Sequence, residues 1–311
     1  MKIAFIADPI ALFNPKAETT SFLAEAFCEK KATCYFVELN GLSLYNGRLL
    51  AKATQAKVTR AKNKTFAYTI SPQTEINLGQ MDCVWLRKDP PVDLNFIDHL
   101  SLLEKIQDQT LLINNPSGIK LAPEKIFALG HSDLSPQTLI SQNQASILDF
   151  IKDHKKVVLK PLNLSGGRGI VIAEHKQASL SSMVDVLTQN GSAYICVQKF
   201  VAKAKLGDKR VLLWKDQILG QFLRVPAKND FRGNMHSGAT YHKCDLTKTE
   251  AQKVATLIPE LQNLGLHFVG IDFLDGLITE VNVTSPMGLG ELNTLYSYQS
   301  EKIVVQSLLK R

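Results

Sequence analysis

The stretch from Gly270 to Val283 constrains the chain more tightly than any other. It reads Gly-Ile-Asp-Phe-Leu-Asp-Gly-Leu-Ile-Thr-Glu-Val-Asn-Val. Two apolar runs flank Asp275-Gly276, a strong local signal for a β-hairpin. Side chains alternate across a strand, so Glu280 and Asn282 share one face while Val281 and Val283 share the other. Asp272 alternates in the same way with Ile271 and Phe273. If the apolar sets form a common core face, Asp272, Glu280 and Asn282 converge on the opposite one. A two-residue turn would set Asp272 against Thr279, so the convergence demands a three-residue connection or a bulge. Oxygen donors so placed suit Mg²⁺, with Mn²⁺ as the alternative, bridging substrate phosphates. Taken alone, the pattern is equally an ordinary solvated strand face.

A second constraint lies upstream. Val157-Val158-Leu159-Lys160 is an apolar strand with a cation at its end. It leads through Pro161-Leu162-Asn163-Leu164 into Ser165-Gly166-Gly167-Arg168-Gly169, and a second apolar segment begins at Ile170. Glycines let backbone N–H groups approach phosphate oxygens, and a nearby Lys adds a point charge. The spacing matches neither a Walker loop nor a GxGxxG opening a helix. By itself it also reads as a glycine-rich hairpin turn beside a surface Lys.

Three arginines stand in polar or glycine-rich surroundings: Arg210 in Gly-Asp-Lys-Arg-Val, Arg224 before Val225-Pro226, and Arg232 in Phe-Arg-Gly-Asn. A guanidinium suits bidentate recognition of carboxylate or phosphate, although each singly also reads as a solvated residue. The segment from Lys228 to Gly238 has few large apolar side chains and reads as a mobile lid.

The N-terminal part alternates strands and helices. Lys2 to Ala7, Cys34 to Leu39, Cys83 to Leu86 and Leu111 to Asn114 read as strands; Thr19 to Lys30, behind Thr/Ser capping candidates, and Phe96 to Gln109 read as helices. Leu50 to Thr69 reads as an edge hairpin. This alternation implies an α/β domain. Asn115-Pro116-Ser117-Gly118 is the best linker candidate, and Pro123 suits the first turn of a helix through Leu129. Beyond it, Val157 to Leu162, Ser192 to Phe200, Val211 to Trp214, His267 to Phe273 and Leu277 to Val283 read as strands. Leu180 to Gln189, Thr247 to Leu264 and a final segment from about Tyr298 read as helices.

Composition removes several classes. Of 311 residues 45% are hydrophobic and 21% charged, enough for a sizeable core and without a disorder signature. At about 150 residues per domain the length suggests roughly two domains, or one domain with a large insertion. The formal charge of +7 fits anionic substrates, and it also fits a nucleic acid or a membrane surface. No apolar run reaches the about 18 residues of a membrane span, and the apolar start closes at Asp8, too soon for a signal peptide. The five cysteines are scattered and odd in number, so a reducing compartment, the cytoplasm, is expected rather than a disulfide framework. No histidine has metal-ligand spacing, and no nucleophile elbow or thiol–histidine pair appears.

The strand Lys, glycine-rich loop and downstream Asp…Glu-x-Asn hairpin together resemble the ATP-grasp ligases. More narrowly, the chain is similar from end to end to the prokaryotic glutathione synthetases. The resemblance rests on Leu86-Arg87-Lys88-Asp89-Pro90-Pro91, Asn115-Pro116, Glu124-Lys125-Ile126-Phe127, Leu159-Lys160-Pro161-Leu162, Gly207-Asp208-Lys209-Arg210-Val211, Phe231-Arg232-Gly233-Asn234 and Glu280-Val281-Asn282-Val283-Thr284-Ser285-Pro286. It implies an α/β N-terminal domain over residues 1–118, followed by an α+β ATP-grasp module of two subdomains, 119–202 and 203–311. It implies that Lys125 and Lys160 contact ATP phosphates and that Ser165, Gly166, Gly167 and Gly169 belong to the loop covering them. Gln198, Lys199, Phe200 and Val201 would line the adenine, and Asp208 would reach the ribose. Asp272, Glu280 and Asn282 would hold the metal, and Arg210 would stabilise charge at the acyl centre. Arg224 and Arg232 would stand by the peptide and lid, and Ser285 near the acceptor carboxylate.

The implied reaction joins γ-glutamylcysteine and glycine through an acylphosphate, with ATP as cosubstrate, in an assembly of identical subunits. It needs no nucleic acid or membrane partner. Two departures stand out. The family loop after Lys-Pro-Leu usually reads Asp-Gly-x-Gly-Gly, where this chain has Asn163 to Gly169. After Thr284-Ser285-Pro286 the family usually has Thr-Gly-Ile-Arg-Glu, where this chain has Met287-Gly288-Leu289-Gly290-Glu291. These favour, as an alternative, a ligase with a different acceptor or γ-glutamyl donor. A catalytically silent ATP-binding protein is the third reading, opposed by the complete metal set and Arg210.

Overall fold

The computed structural model describes residues 1–131, 133–227 and 238–310. The expected lid from Lys228 to Gly238, including Arg232, thus lies almost wholly outside the described residues. Three sheets organise the rest.

The first sheet holds β1 (Lys2–Ala7), β2 (Thr33–Tyr45), β3 (Arg48–Arg60), β4 (Phe66–Ile70), β5 (Thr74–Asn77), β6 (Cys83–Arg87) and β7 (Leu111–Ile113). Its order is β4-β3-β2-β1-β6-β7, with β5 also pairing β3. The β2-β1-β6-β7 core is parallel, and its central strands are apolar on both faces, as sheets covered on both sides require. The second sheet, of β8 (Thr138–Ser141), β9 (Lys156–Pro161), β10 (Val171–Glu174) and β11 (Ile195–Lys199), has the order β10-β9-β11-β8. The third, of β12 (Asp208–Trp214), β13 (Gln217–Val225), β14 (Thr240–Lys243), β15 (Phe268–Leu274) and β16 (Leu277–Asn282), has the order β14-β13-β12-β15-β16.

The helices are α1 (Thr19–Glu29), α2 (Leu94–Glu104), α3 (Pro116–Leu121), α4 (Gln144–His154), α5 (Leu180–Leu187), α6 (Lys248–Asn263), α7 (Leu289–Tyr296) and α8 (Ser300–Leu309). Two buried clusters join the first sheet to the third. One runs from Ile6 and Val84 to Val254, Ile271 and Val281. The other runs from Phe5 and Trp85 to Trp214, Phe268 and Val304, and Trp85 stacks on Trp214 with ring centres 5.8 Å apart. The second sheet has its own small core, with Ile147, Ile151, Val184 and Val197.

Three local readings are corrected. The helix at Thr19 is capped by Glu18, whose carboxylate accepts from the Thr20 N–H at 3.0 Å. The expected Thr/Ser caps lie inside the helix, their hydroxyls engaged elsewhere: Thr19 with Gly288, Thr20 with Arg87, Ser21 with Tyr68. The Asn115-Pro116 linker is instead a helix start, with the Asn115 side chain accepting from the Gly118 N–H and Pro116 in the first turn. The helix expected from Pro123 reduces to a short 3₁₀ turn at Phe127–Gly130. There the backbone and side chain of Glu124 are committed to β16 and the residues after it, and tertiary bonds override the propensity. Asn114 closes the seam between sheets. Its amide accepts from the His267 and Phe268 N–H groups and donates to the Phe268 and Val283 carbonyls, all at 2.7–2.9 Å.

Candidate active site

The β15–β16 hairpin has the register that convergence requires. Phe273 pairs with Ile278, but Asp272 pairs with Glu280, so Thr279 is the extra residue of a bulge. Gly270 then faces Asn282. The bulge puts Asp272, Glu280 and Asn282 on one wall of a cavity of about 680 Å³.

On that wall Asp272 is 4% exposed and is gripped by two guanidiniums. Arg210, its partner on β12, donates through Nη2 at 2.8 Å and through Nε. Arg224 approaches the same Oδ2 at 3.0 Å. Burial opposes ionisation, but the two arginines outweigh it and hold the Asp272 carboxyl well below the usual carboxylate range. Asn282 Nδ2 lies 3.3 Å from that oxygen. Arg224 also forks onto Asp208, its cross-strand partner, which ties Asp208 into the arginine network. Lys125 pairs with Glu280 at 3.1 Å and donates to the Leu162 and Leu164 carbonyls. Burial works against its charge, but Glu280 and Glu124 raise its pKa above the usual value.

The opposite wall comes from the second sheet. Lys160 donates to Gln198 Oε1 at 2.8 Å, and Gln198 donates in turn to Thr138. Lys199, Phe200 and Val201 continue the wall. Ser165, Gly166 and Gly167 line the mouth; Gly169 stands behind, where a Cβ would meet Pro161 Cγ at 2.9 Å. Arg168 reaches the Pro90 carbonyl at 3.1 Å, and Asn163 accepts from the Val92 N–H at 3.0 Å. The glycine-rich loop is thereby tied to the Asp89-Pro90-Pro91 segment. Ser285 lines the far end and donates to the Arg87 carbonyl. Of the sequence candidates among the described residues, all but Gly169 line this one cavity.

The residues from 1 to 120 match the family model of the prokaryotic glutathione synthetase N-terminal domain, and those from 124 to 297 match its ATP-grasp domain. The chain belongs to the prokaryotic glutathione synthetases. It is 35% identical over 304 residues to the glutathione synthetase of Thermosynechococcus vestitus, covering 95% of each chain. It is 37% identical over 290 residues to that of Rhodopseudomonas palustris, covering 93% of this chain and 92% of the relative. Among solved structures, D-cycloserine synthetase DcsG superposes with a TM-score of 0.68 at 14% identity, over 99% of this chain and all of the other. The ATP-grasp ligase PsnB with its minimal precursor gives 0.64 at 16%, over 99% and 98%. At such identities the likeness concerns the fold, which is that of ATP-grasp ligases.

Two further carboxylates of this glutathione synthetase line or border the cavity and carry no motif signal in the sequence. Glu124 accepts from the Val283 and Thr284 N–H groups and the Thr284 hydroxyl, and burial, then Glu280, raises its pKa. Glu291 lines the cavity at 7% exposure, and its Oε2 has no hydrogen-bond partner. Burial raises its pKa against the pull of Arg210 and Arg224. The sequence pattern places its last helix only from about Tyr298, whereas the structure has α7 already at Leu289–Tyr296, with Glu291 in its first turn.

Proposed function

We propose that this cavity joins γ-glutamylcysteine to glycine at the expense of ATP, giving glutathione, ADP and phosphate. One observation carries the reading. Lys160 and Lys125, the latter ion-paired to Glu280 at 3.1 Å, line a single cavity with Asp272, Glu280 and Asn282 in a chain whose two domains match the family. The lysines place fixed charge beside the nucleotide phosphates, and Ser165 to Gly167 cover them with backbone N–H groups. Gln198 to Val201 form the adenine wall, and Asp208 is the ribose residue. Arg210 and Arg224 face the donor carboxylate, where negative charge grows in both the phosphoryl and the acyl step. Arg232 and Ser285 complete the peptide side. Residues near 118 and 202 divide the chain in this reading.

The donor set fits a hard divalent cation: two carboxylates and a carboxamide oxygen on one face of the β15–β16 hairpin, with no soft ligand among them. Asp272, Glu280 and Asn282 would hold Mg²⁺ or Mn²⁺, which would supply neutralisation of phosphate charge. An acylphosphate hydrolyses, so the loop tied down by Arg168 has the task of excluding water. Glu291, with its unpartnered oxygen, receives the ammonium group of one amine substrate. Glu291→Gln should raise the KM of that substrate and leave the KM for ATP unchanged; equal changes in both would remove this role. The enzyme works in the cytoplasm as an assembly of identical subunits, a setting that the five scattered cysteines suit. Among the described residues no helix is long and apolar enough to cross a membrane.

A second reading, another acceptor, is favoured by Gly290, where the family usually carries Arg. An acceptor screen by ADP release separates the two. Turnover with glycine supports the first; turnover with another amino acid and none with glycine supports the second.

A further inference from the structure

Away from the cavity, two thiols meet where α1 turns back into β2. Cys28 lies in the last turn of α1 and Cys34 is the second residue of β2; their sulfurs are 3.8 Å apart. Cys34 is 1% exposed and lies 3.8 Å from the Ala24 carbonyl. Cys28 is half-buried, and its sulfur accepts from the Val58 N–H at 3.5 Å.

The environment makes the two sulfurs unequal. A hydrogen bond with Cys34, opposed by burial and helped by the Val58 N–H and Lys57, lowers Cys28 to about 6. The same contact, with burial, pushes Cys34 up. The outer, half-buried sulfur is thereby the more acidic and the more accessible of the two, the asymmetry of an attacking and a resolving pair. Cys244, also half-buried, is by contrast pushed up to about 11 by burial.

We propose that Cys28 and Cys34 are a reversible dithiol–disulfide site that exchanges with low-molecular-weight disulfides of thiol peptides. The Cys28 thiolate attacks one sulfur of the disulfide, forming a mixed disulfide and releasing one peptide thiolate. Cys34 then attacks Cys28 Sγ, and the second peptide thiolate departs with the Cys34 proton. Two electrons pass from the protein pair to the small disulfide, which becomes two thiols. The sulfurs must close from 3.8 Å to the roughly 2.0 Å of a disulfide bond. That motion falls on the short turn through Lys30, Lys31 and Ala32, between a helix end and a strand start.

The test is covalent and independent of ligase turnover, so it stands or falls apart from the proposed reaction. The full chain is held without oxygen in glutathione disulfide, quenched in acid and examined by intact mass and peptide mapping. The expected product has lost two hydrogens, carries a Cys28–Cys34 link and reverts in dithiothreitol. Cys34→Ser should stop with one glutathionyl group on Cys28, and Cys28→Ser should leave Cys34 unmodified. A wild-type chain that remains reduced, stops at the mixed disulfide or reacts first at Cys244 overturns the proposal.

Discussion

Arg210 and Asp272 face each other across β12 and β15 and share two hydrogen bonds, one of them 2.8 Å between Nη2 and Oδ2. With Arg224 at 3.0 Å from the same oxygen, the Asp272 charge is balanced by two guanidiniums in a buried wall. A fork of this kind fixes orientation as well as charge. Arg210→Lys keeps the charge and loses the fork. Its turnover is expected to fall roughly hundredfold or more, with the far-UV circular dichroism unchanged. Asp272→Asn and Glu280→Gln should each abolish ADP release without unfolding the chain; normal rates in both would remove the metal assignment.

Arg168 donates to the Pro90 carbonyl at 3.1 Å and ties the glycine-rich loop to the Asp89-Pro90-Pro91 segment, both lining the cavity. Arg168→Ala is expected to loosen this tie and let water reach the acylphosphate. The readout is the ratio of ADP released to peptide formed, which should rise above one. A ratio that stays at one would show that the tether plays no part in water exclusion.

Gly290 is packed rather than vacant. A Cβ there would lie 2.9 Å from Phe22 Cε2 and 3.3 Å from Ala17 Cα, and Phe22 is itself held edge-on by Phe66 and capped by Arg60. Gly290→Ala should lower the unfolding free energy by about 1–3 kcal/mol through overpacking, and Gly290→Arg by more. Denaturant melts check both. A Gly290→Arg chain as stable as wild type would show that the pocket is open to the family's usual side chain.

Glu250 caps α6 with Thr247 and pairs with Lys209 at 2.7 Å, its side chain 3% exposed. Burial opposes its charge, but Lys209 and the Thr247 bonds outweigh it and lower its pKa. A carboxyl with a depressed folded pKa contributes stability that is complete above its unfolded value of 4.5 and is lost as the pH falls below it. Glu250→Gln should therefore cost about 2 kcal/mol near pH 7, with the gap to wild type narrowing below pH 4.5. Melts at both pH values check this; a gap independent of pH would contradict it.

The parts of the site that local pattern controls were legible in the sequence. The alternation around Asp275-Gly276 required a bulge if Asp272 was to meet Glu280, and Thr279 supplies it. Lys160 and the loop after it followed from a strand end and its glycines. What tertiary contact decides was not legible. Thr19 and Thr20 look like caps, yet their hydroxyls are used by Gly288 and Arg87, far along the chain. Asn115-Pro116 looks like a linker because its helix is only six residues long. Glu124 and Glu291 gain their environment from strands and loops remote in sequence. The strand Thr138–Ser141 and the helix Gln144–His154 lie in a stretch left unassigned, and Asn143 capping Ser146 was the available signal.

ADP release from Mg-ATP by the purified chain tests the central claim most directly, measured with each peptide substrate omitted in turn. The account requires ADP to accumulate only when γ-glutamylcysteine and glycine are both present, with one glutathione formed per ADP. Retained ATP binding with no ADP release in the complete mixture, or release indifferent to both substrates, would contradict it.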